Sequence, residues 1–231
     1  MKELPEADIY EEGLEYWPYK KSLATVLKLA CANTKNGGSL LDIMCGPGYL
    51  LEQLWGQRPD LELVGVDNDD RYIRHGKLHH PNATFWYGDV RRWEFQKNFD
   101  TVLCTGALHH VPYEDQEAAV KNIASLVKSD GVVIISDCYV DPFQTEIERK
   151  LAAAKLGYEY LIATIKNGAP DDVISWTVDI LSNDVGMAEF KTSLTERVVI
   201  LGKYFKEVRT TKIWPESESG YGDYIHICTP E

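Results

Sequence analysis

Three carboxylates and a pair of histidines stand where the side chains of this chain can do chemistry. Asp42 lies near the end of an apolar run, Asp67 closes a second at 61–67, and Asp89 follows a third at 83–87. His109-His110 follow a fourth run at 99–104. Directly after Asp42 the chain reads Ile43-Met44-Cys45-Gly46-Pro47-Gly48-Tyr49 and becomes amphipathic at once. A strand that empties into a glycine-bracketed turn and then a helix leaves backbone N–H groups facing an open crevice, where polar or charged ligand groups dock. Glycine is needed where a Cβ would hold the ligand off the main chain. The ligand class such a crevice takes is a nucleotide or nucleoside cofactor. Histidine suits proton abstraction near neutral pH; the alternative is that the pair only shapes its loop.

These residues need a frame, and the hydrophobic pattern supplies one. Leu23, Val26, Leu27 and Ala30 recur at helical spacing, and Asn36-Gly37-Gly38 stops that helix. Strands are expected at about 39–44, 61–67, 83–87, 99–104 and 132–136, with helices at 49–55, 70–79 and 113–128 between them. The strands are continuous apolar runs rather than alternating ones, which means burial on both faces and a mostly parallel sheet between helices. From Asp141 to about Arg197 the rhythm gives way to long helical patterns broken at Asn167-Gly168-Ala169-Pro170, and a cap over the crevice is their expected use. Strands at 208–214 and 224–229 should close the sheet as an antiparallel hairpin. The expectation is a single α/β domain over 1–231. An N-terminal aromatic segment and helix occupy 1–36, and a helical cap insertion occupies 141–197.

Composition narrows the partners. The 231 residues carry a net charge of −12, and the longest cationic clusters are Lys20-Lys21 and Arg91-Arg92. Such a surface repels phosphate backbones and anionic lipid, so no nucleic acid and no membrane partner is expected. The five cysteines form no C-x-x-C pair, so neither a metal centre nor a disulfide is expected. The N-terminus lacks the apolar core of a signal peptide. Cytoplasmic residence is expected.

Four marks thus fall in order at proposed strand ends: the turn from Asp42 to Gly48, Asp67, Gly88-Asp89, and Cys104-Thr105-Gly106-Ala107. This ordered set resembles the class I S-adenosylmethionine-dependent methyltransferases of small-molecule type, over about 38–137 and again at the C-terminal hairpin. The resemblance implies a doubly wound, mostly parallel seven-stranded Rossmann-like sheet with S-adenosylmethionine as cofactor and S-adenosylhomocysteine as product. It implies that Gly46 and Gly48 let the methionine and ribose parts approach the backbone, with Met44 and Cys45 in the same loop. Asp67, 19 residues beyond Gly48, takes the ribose hydroxyls with Asn68 beside it. Asp89 accepts from the adenine amino group, and the Val90 N–H faces a ring nitrogen. Cys104, Thr105 and Ala107 border the pocket. Leu108-His109-His110-Val111-Pro112 is similar to a sequence common in small-molecule members. Phe99-Asp100-Thr101-Val102-Leu103-Cys104 and Leu126-Val127-Lys128-Ser129-Asp130-Gly131 match the fourth and fifth strand motifs, with Ser129-Asp130-Gly131 where Pro-Gly-Gly is frequent.

Met44 stands where the family has its first loop glycine, so either the cofactor sits differently or the backbone there keeps ordinary dihedrals. Asp42 is expected to organise the loop by holding backbone amides or a water. Tyr10, Tyr16, Trp17 and Tyr19 form an aromatic cluster that either folds over the cofactor, with Tyr16 among its contacts, or staples the first helix. Cys45 is expected to be inert filler.

The expected activity is methyl transfer to a small-molecule acceptor, at oxygen or nitrogen, with His109 or His110 as base and the chain a monomer or homodimer. Methylation of nucleic acid or protein is one alternative. Against it stands Cys104-Thr105-Gly106-Ala107, in place of an Asn/Asp-Pro-Pro-Tyr/Phe motif that would hold a flipped base. A non-catalytic cofactor-binding subunit is the other, with Met44 as its hint.

Overall fold

The computed structural model describes residues 7–230; residues 1–6 of the N-terminal segment and Glu231 lie outside the described residues. Helices α1 (Ala7–Leu14) and α2 (Tyr19–Asn33) precede β1 (Ser39–Ile43), α3 (Tyr49–Gln57), β2 (Glu62–Asp67), α4 (Asp70–His79), β3 (Thr84–Tyr87) and β4 (Phe99–Thr105). A single 3-10 turn, Leu108–His110, leads to α5 (Tyr113–Ser125) and β5 (Val127–Tyr139). Then come α6 (Glu146–Lys166), α7 (Asp171–Val185), α8 (Leu194–Leu201), β6 (Glu207–Trp214) and β7 (Gly222–Thr229).

The seven strands form one sheet in the order β3-β2-β1-β4-β5-β7-β6. The first five run parallel, and β7 pairs antiparallel with both β5 and β6. The order reverses at β1, between β2 and β4, so the tips of those strands border the crevice of a doubly wound sheet. β1 is buried at all five positions, as its unbroken apolar run requires. Leu41, Ile43, Val102 and Val133 pack on one face against α5 and α8; Leu40, Leu63, Leu103 and Ile134 pack on the other against α2, α3 and α4. Each fully buried Leu or Ile contributes about 1.5–3 kcal/mol.

Three elements differ from the sequence reading. Helix α1 forms within a stretch read as merely polar and aromatic, and its Tyr10 packs edge-on to Trp17 and to Trp176 of α7. Helix α5 ends at Ser125 rather than near 128, and β5 starts at Val127. The register jumps from Phe99↔Val127 to Thr101↔Val132, so Ser129-Asp130-Gly131 lies in a bulge. At its far end β5 runs three residues past the expected stop at Ser136 and carries Asp137 into the sheet.

The helical insertion packs onto the N-terminal segment. Trp17 Nε1 donates to Thr177 Oγ1 of α7 (3.0 Å), Tyr19 N donates to the Tyr160 hydroxyl of α6 (3.0 Å), and Asn167 donates to the Tyr16 carbonyl (2.6 Å). Thr145 and Glu148 start α6 with a reciprocal capping box, and Ser193 and Glu196 do the same for α8. No helix among the described residues is long and apolar enough to cross a membrane.

Candidate active site

The loop after β1 has a backbone that explains its composition. Gly46 and Gly48 both take positive φ, 56° and 103°. A Cβ on Gly46 would meet nothing within 4 Å, so its bare side opens outward. A Cβ on Gly48 would come within 2.7 Å of Phe85 and 3.0 Å of His80. The second glycine is therefore required by packing against β3 and α4, which corrects the expectation that both clear space for a ligand. Met44 also takes positive φ, 62°. The ordinary dihedrals expected for it do not occur: the loop keeps its left-handed first position, and an L-residue bears the strain. Holding a side chain there costs about 1–2 kcal/mol. A β-branched residue suffers more, so Met44→Val should lower unfolding stability by at least about 1–2 kcal/mol in denaturant titration.

Asp67, at the tip of β2, is 9% exposed. Its Oδ2 accepts from Gly46 N (2.9 Å) and its Oδ1 from Asp69 N (2.8 Å). Burial raises its pKa against the lowering effect of these amides. Asp42 is 1% exposed and its Oδ1 has no hydrogen-bond partner. It does not hold the loop's amides, contrary to expectation; Asp67 does. Burial and the charge of Asp67 push the Asp42 carboxyl up to about 8. The two acids therefore form a buried acidic corner in which Asp42 stays mostly protonated near neutral pH, for want of positive charge beside it.

Beyond Asp67 a cavity of about 530 Å³ opens, lined by Asn68, Gly88, Asp89, Arg91 and Trp93 among others. Asp89 lies in this wall with its carboxylate already engaged. Oδ1 accepts from Arg91 N and Nε (both 2.9 Å), and Oδ2 from Arg91 Nη2 (2.6 Å). The Arg91 guanidinium holds its pKa below the ordinary carboxylate value. Gly88 makes room for Trp93, which would lie 2.3 Å from a Cβ there. Val90, Cys104 and Ala107 bury their side chains in the core beneath the tips, so only their backbones are available to a ligand. Two other tyrosines of the N-terminal aromatic cluster, Tyr10 and Tyr19, lie beside the strand tips. Tyr10 lies close enough to Asp42 and Asp67 for their charges to raise its pKa, though burial is the larger cause. The Tyr19 hydroxyl lies over Gly106 and interacts with Thr105. Cys45 is inert: burial pushes its thiol pKa well up.

The histidines separate into two kinds. His109 Nδ1 lies 2.5 Å from Asp137 Oδ1 on β5. Burial works against ionisation of Asp137, but His109 and Arg197 outweigh it and hold its pKa low. An ionised Asp137 accepts only, so the proton of the imidazole sits on Nδ1 and Nε2 keeps its lone pair. Burial and the neighbouring His110 lower the pKa of His109, which keeps it neutral. His110 instead places Nδ1 2.8 Å from Glu189 Oε2. Burial would lower the His110 pKa, but Glu189 raises it more, so His110 carries charge more readily than its neighbour.

Glu189 reaches this site because several bonds fold its segment onto β5. Val140 N donates to the Thr192 carbonyl (3.1 Å), and Phe190 N to the His109 carbonyl (2.7 Å). Arg149 Nη2 donates to the Glu189 carbonyl (3.2 Å). Lys191 is buried beside it and pairs with Asp184 at 3.1 Å. The wider groove of about 830 Å³ between α6 and α7, lined by Ala154, Tyr158 and Leu181 among others, lies apart from all of these groups.

Residues 40–131 match the methyltransferase domain family. A ubiquinone biosynthesis O-methyltransferase of Alkalilimnicola ehrlichii is 31% identical over 147 residues, covering 61% of this chain and 56% of that protein. The similarity to methyltransferases thus runs over the segment that carries the glycine loop, Asp67 and Asp89. The fold of the chain is that of the PH0226 protein of Pyrococcus horikoshii, with a TM-score of 0.63 over 92% of this chain and 91% of the other at 19% identity. It is also that of magnesium protoporphyrin IX methyltransferase from Synechocystis with bound SAH, with a TM-score of 0.57 over 93% and 84% at 18% identity. The chain spans a little over half the length of the O-methyltransferase it matches.

Two carboxylates of this site, Asp137 and Glu189, are not apparent from the sequence reading. Asp137 ends an apolar run just as Asp67 does, and that signal was available once β5 is allowed to continue past Ser136. Glu189 had none: it lies 79 residues beyond His110, in a segment with no periodic pattern.

Proposed function

We propose that this methyltransferase moves a methyl group from S-adenosylmethionine to a hydroxyl or amine of a small-molecule acceptor and releases S-adenosylhomocysteine. It acts as a single domain over 1–231, with 141–197 as a cap, in the cytoplasm and as a monomer or homodimer. Five free cysteines support a reducing compartment.

The observation that carries the reading is the buried acidic corner beside the open glycine, where a positive charge would ionise Asp42. Gly46 leaves bare main chain, Asp42 Oδ1 lacks a partner, and the Asp42 carboxyl is raised to about 8. A ligand carrying positive charge and hydroxyl donors meets each of these needs, and S-adenosylmethionine carries both. Asp42 would hold its charged end where Gly46 leaves the main chain open, with Met44 and Cys45 lining the turn. Asp67 and Asn68 would take the ribose hydroxyls. The cavity beside Gly88, Asp89 and the Val90 N–H would take the base. Asp89 serves there only by sharing or releasing Arg91.

When bound, S-adenosylmethionine supplies a methyl group already activated on a sulfonium. The protein's remaining task is alignment and, for a hydroxyl acceptor, removal of one proton. His109 Nε2 performs that removal, with Asp137 fixing the tautomer and stabilising the imidazolium that forms. Tyr10, Tyr19 and the 141–197 helices wall the site from water. The relative from Alkalilimnicola, named an O-methyltransferase, supports an oxygen acceptor.

Calorimetry of the full chain with S-adenosylhomocysteine tests the reading. Saturable binding in the micromolar range with one site per chain is expected, and its absence overturns the proposal.

A further inference from the structure

A second polar cluster lies behind the glycine loop, where helix α1 crosses α4. His80 Nε2 is 3.6 Å from Glu11 Oε1, and His75 Nε2 is 3.8 Å from that same oxygen. One atom from each residue falls in a group whose members all lie within 4.8 Å of one another. His80 is 9% exposed, yet neither of its ring nitrogens has a hydrogen-bond partner, and nor does Glu11 Oε1. Three orphaned polar atoms in one buried place require an explanation. The separations are too long for hydrogen bonds and close to the spacing of two donors on one ion. Bonds of about 2.0–2.1 Å to a tetrahedral zinc put neighbouring ligand atoms about 3.3 Å apart, so each histidine needs to approach Glu11 Oε1 by only a few tenths of an ångström. His80 Nδ1 meanwhile faces Glu52 Oε2 at 3.4 Å. A metal-ligating histidine turns its other nitrogen to a carboxylate in this way.

We propose that Glu11, His75 and His80 bind one divalent zinc-class cation, with Glu52 orienting His80. Two imidazoles and a carboxylate form a donor set suited to Zn²⁺ rather than to Mg²⁺ or Ca²⁺. The expectation of no metal rested on cysteine spacing and did not consider these residues, which lie 64 and 5 positions apart along the chain. The site ties two otherwise lightly joined parts together. Glu11 is on α1, next to Tyr10, whose ring packs near Tyr72 and Trp176. His80 closes α4 and sits against Gly48. The bound ion therefore pins α1 over the crevice at the strand tips. The site is independent of the methyl-transfer reading, since its residues are not those proposed to hold the cofactor or the acceptor.

The test is equilibrium dialysis of the chelator-stripped full chain against Zn²⁺, with hydrogen exchange followed on α1. One ion per chain is expected, together with slowed exchange of the α1 amides. Glu11→Gln, on the solvent side of the cluster where folding is least at risk, should weaken binding more than about tenfold, and His75→Ala with His80→Ala should abolish it. Co²⁺ in place of Zn²⁺ should give the visible bands of a four- or five-coordinate ion, lost in the same variants. Absence of stoichiometric binding overturns the proposal, as does equal binding by wild type and Glu11→Gln. Binding lost instead on His109→Ala places the ion at the dyad and overturns it too.

Discussion

Replacing His109 by alanine should lower turnover of a hydroxyl-bearing acceptor by about 10²–10⁴-fold, the range of general-base assistance, and leave the affinity for S-adenosylhomocysteine unchanged. The expectation rests on the division of labour between the two histidines. His109 is held toward its neutral form, with Nδ1–H committed to Asp137 at 2.5 Å and the Nε2 lone pair 3.8 Å from Glu189 Oε2, beyond hydrogen-bond reach. His110 is tied to Glu189 at 2.8 Å and held toward its charged form, so it is the poorer base. His110→Ala should therefore cost far less than His109→Ala. The pH dependence has a definite sign. The His109 pKa lies below the ordinary 6.5, because burial and His110 disfavour the imidazolium. The base form then persists to lower pH, and turnover should be lost only as pH falls through that depressed value. Asp137→Asn removes the negative charge that stabilises the imidazolium and offers an amide N–H that can turn the tautomer, so it should shift the acid limb lower while reducing turnover. A limb near or above 6.5, or full turnover by His109→Ala, would show that the dyad only shapes the loop.

The fold was legible because each parallel strand is a short, unbroken apolar run that ends in chemistry: Asp42, Asp67 and the turn after Tyr87. Burial on both faces explains the runs of β1, β2 and β4, whereas β3, at the sheet edge, is exposed at three of its four positions. The site was legible in the same places, since a strand tip in this architecture is also a pocket edge. Legibility failed where position depends on tertiary contacts. Nothing local marks Glu189, because its location is fixed by backbone bonds from Val140, Phe190 and Arg149 across long separations. Helix α1 is hard to see in sequence because it is only eight residues long, and so short a helix depends on the packing of residues such as Tyr10 and Leu14 rather than on propensity. Asp89 was read as free because its partner, Arg91, is also the next-but-one residue and looked like a surface cation. The role of Gly48 could not be told from that of Gly46, as only the folded chain brings Phe85 and His80 against it.

Asp67→Ala should weaken S-adenosylhomocysteine binding by about 1.5–3 kcal/mol, the range for hydrogen bonds to a charged group, which is roughly 10–150-fold in dissociation constant. The simplest rival is that this strand-end acid serves only the start of α4. The geometry separates the two. The cap of α4 is Asp69, whose side chain accepts from Arg71 N at 2.9 Å. Asp67 accepts from Asp69 N and, across the crevice, from Gly46 N, so it joins the tips of β1 and β2. Asp69→Ala should thus cost about 1 kcal/mol of stability with little change in affinity, and Asp67→Ala the reverse balance. Acid titration adds a second check. Burial raises the Asp67 pKa above 3.8, and the protonated acid loses one of its acceptor sites. Affinity in wild type should therefore decline as pH falls through that raised value, and this decline should vanish in Asp67→Ala. An alanine variant with wild-type affinity and an unaltered pH profile would mean that the sugar hydroxyls are held elsewhere, and that the pairing of Gly46 with Asp67 serves only to close the loop.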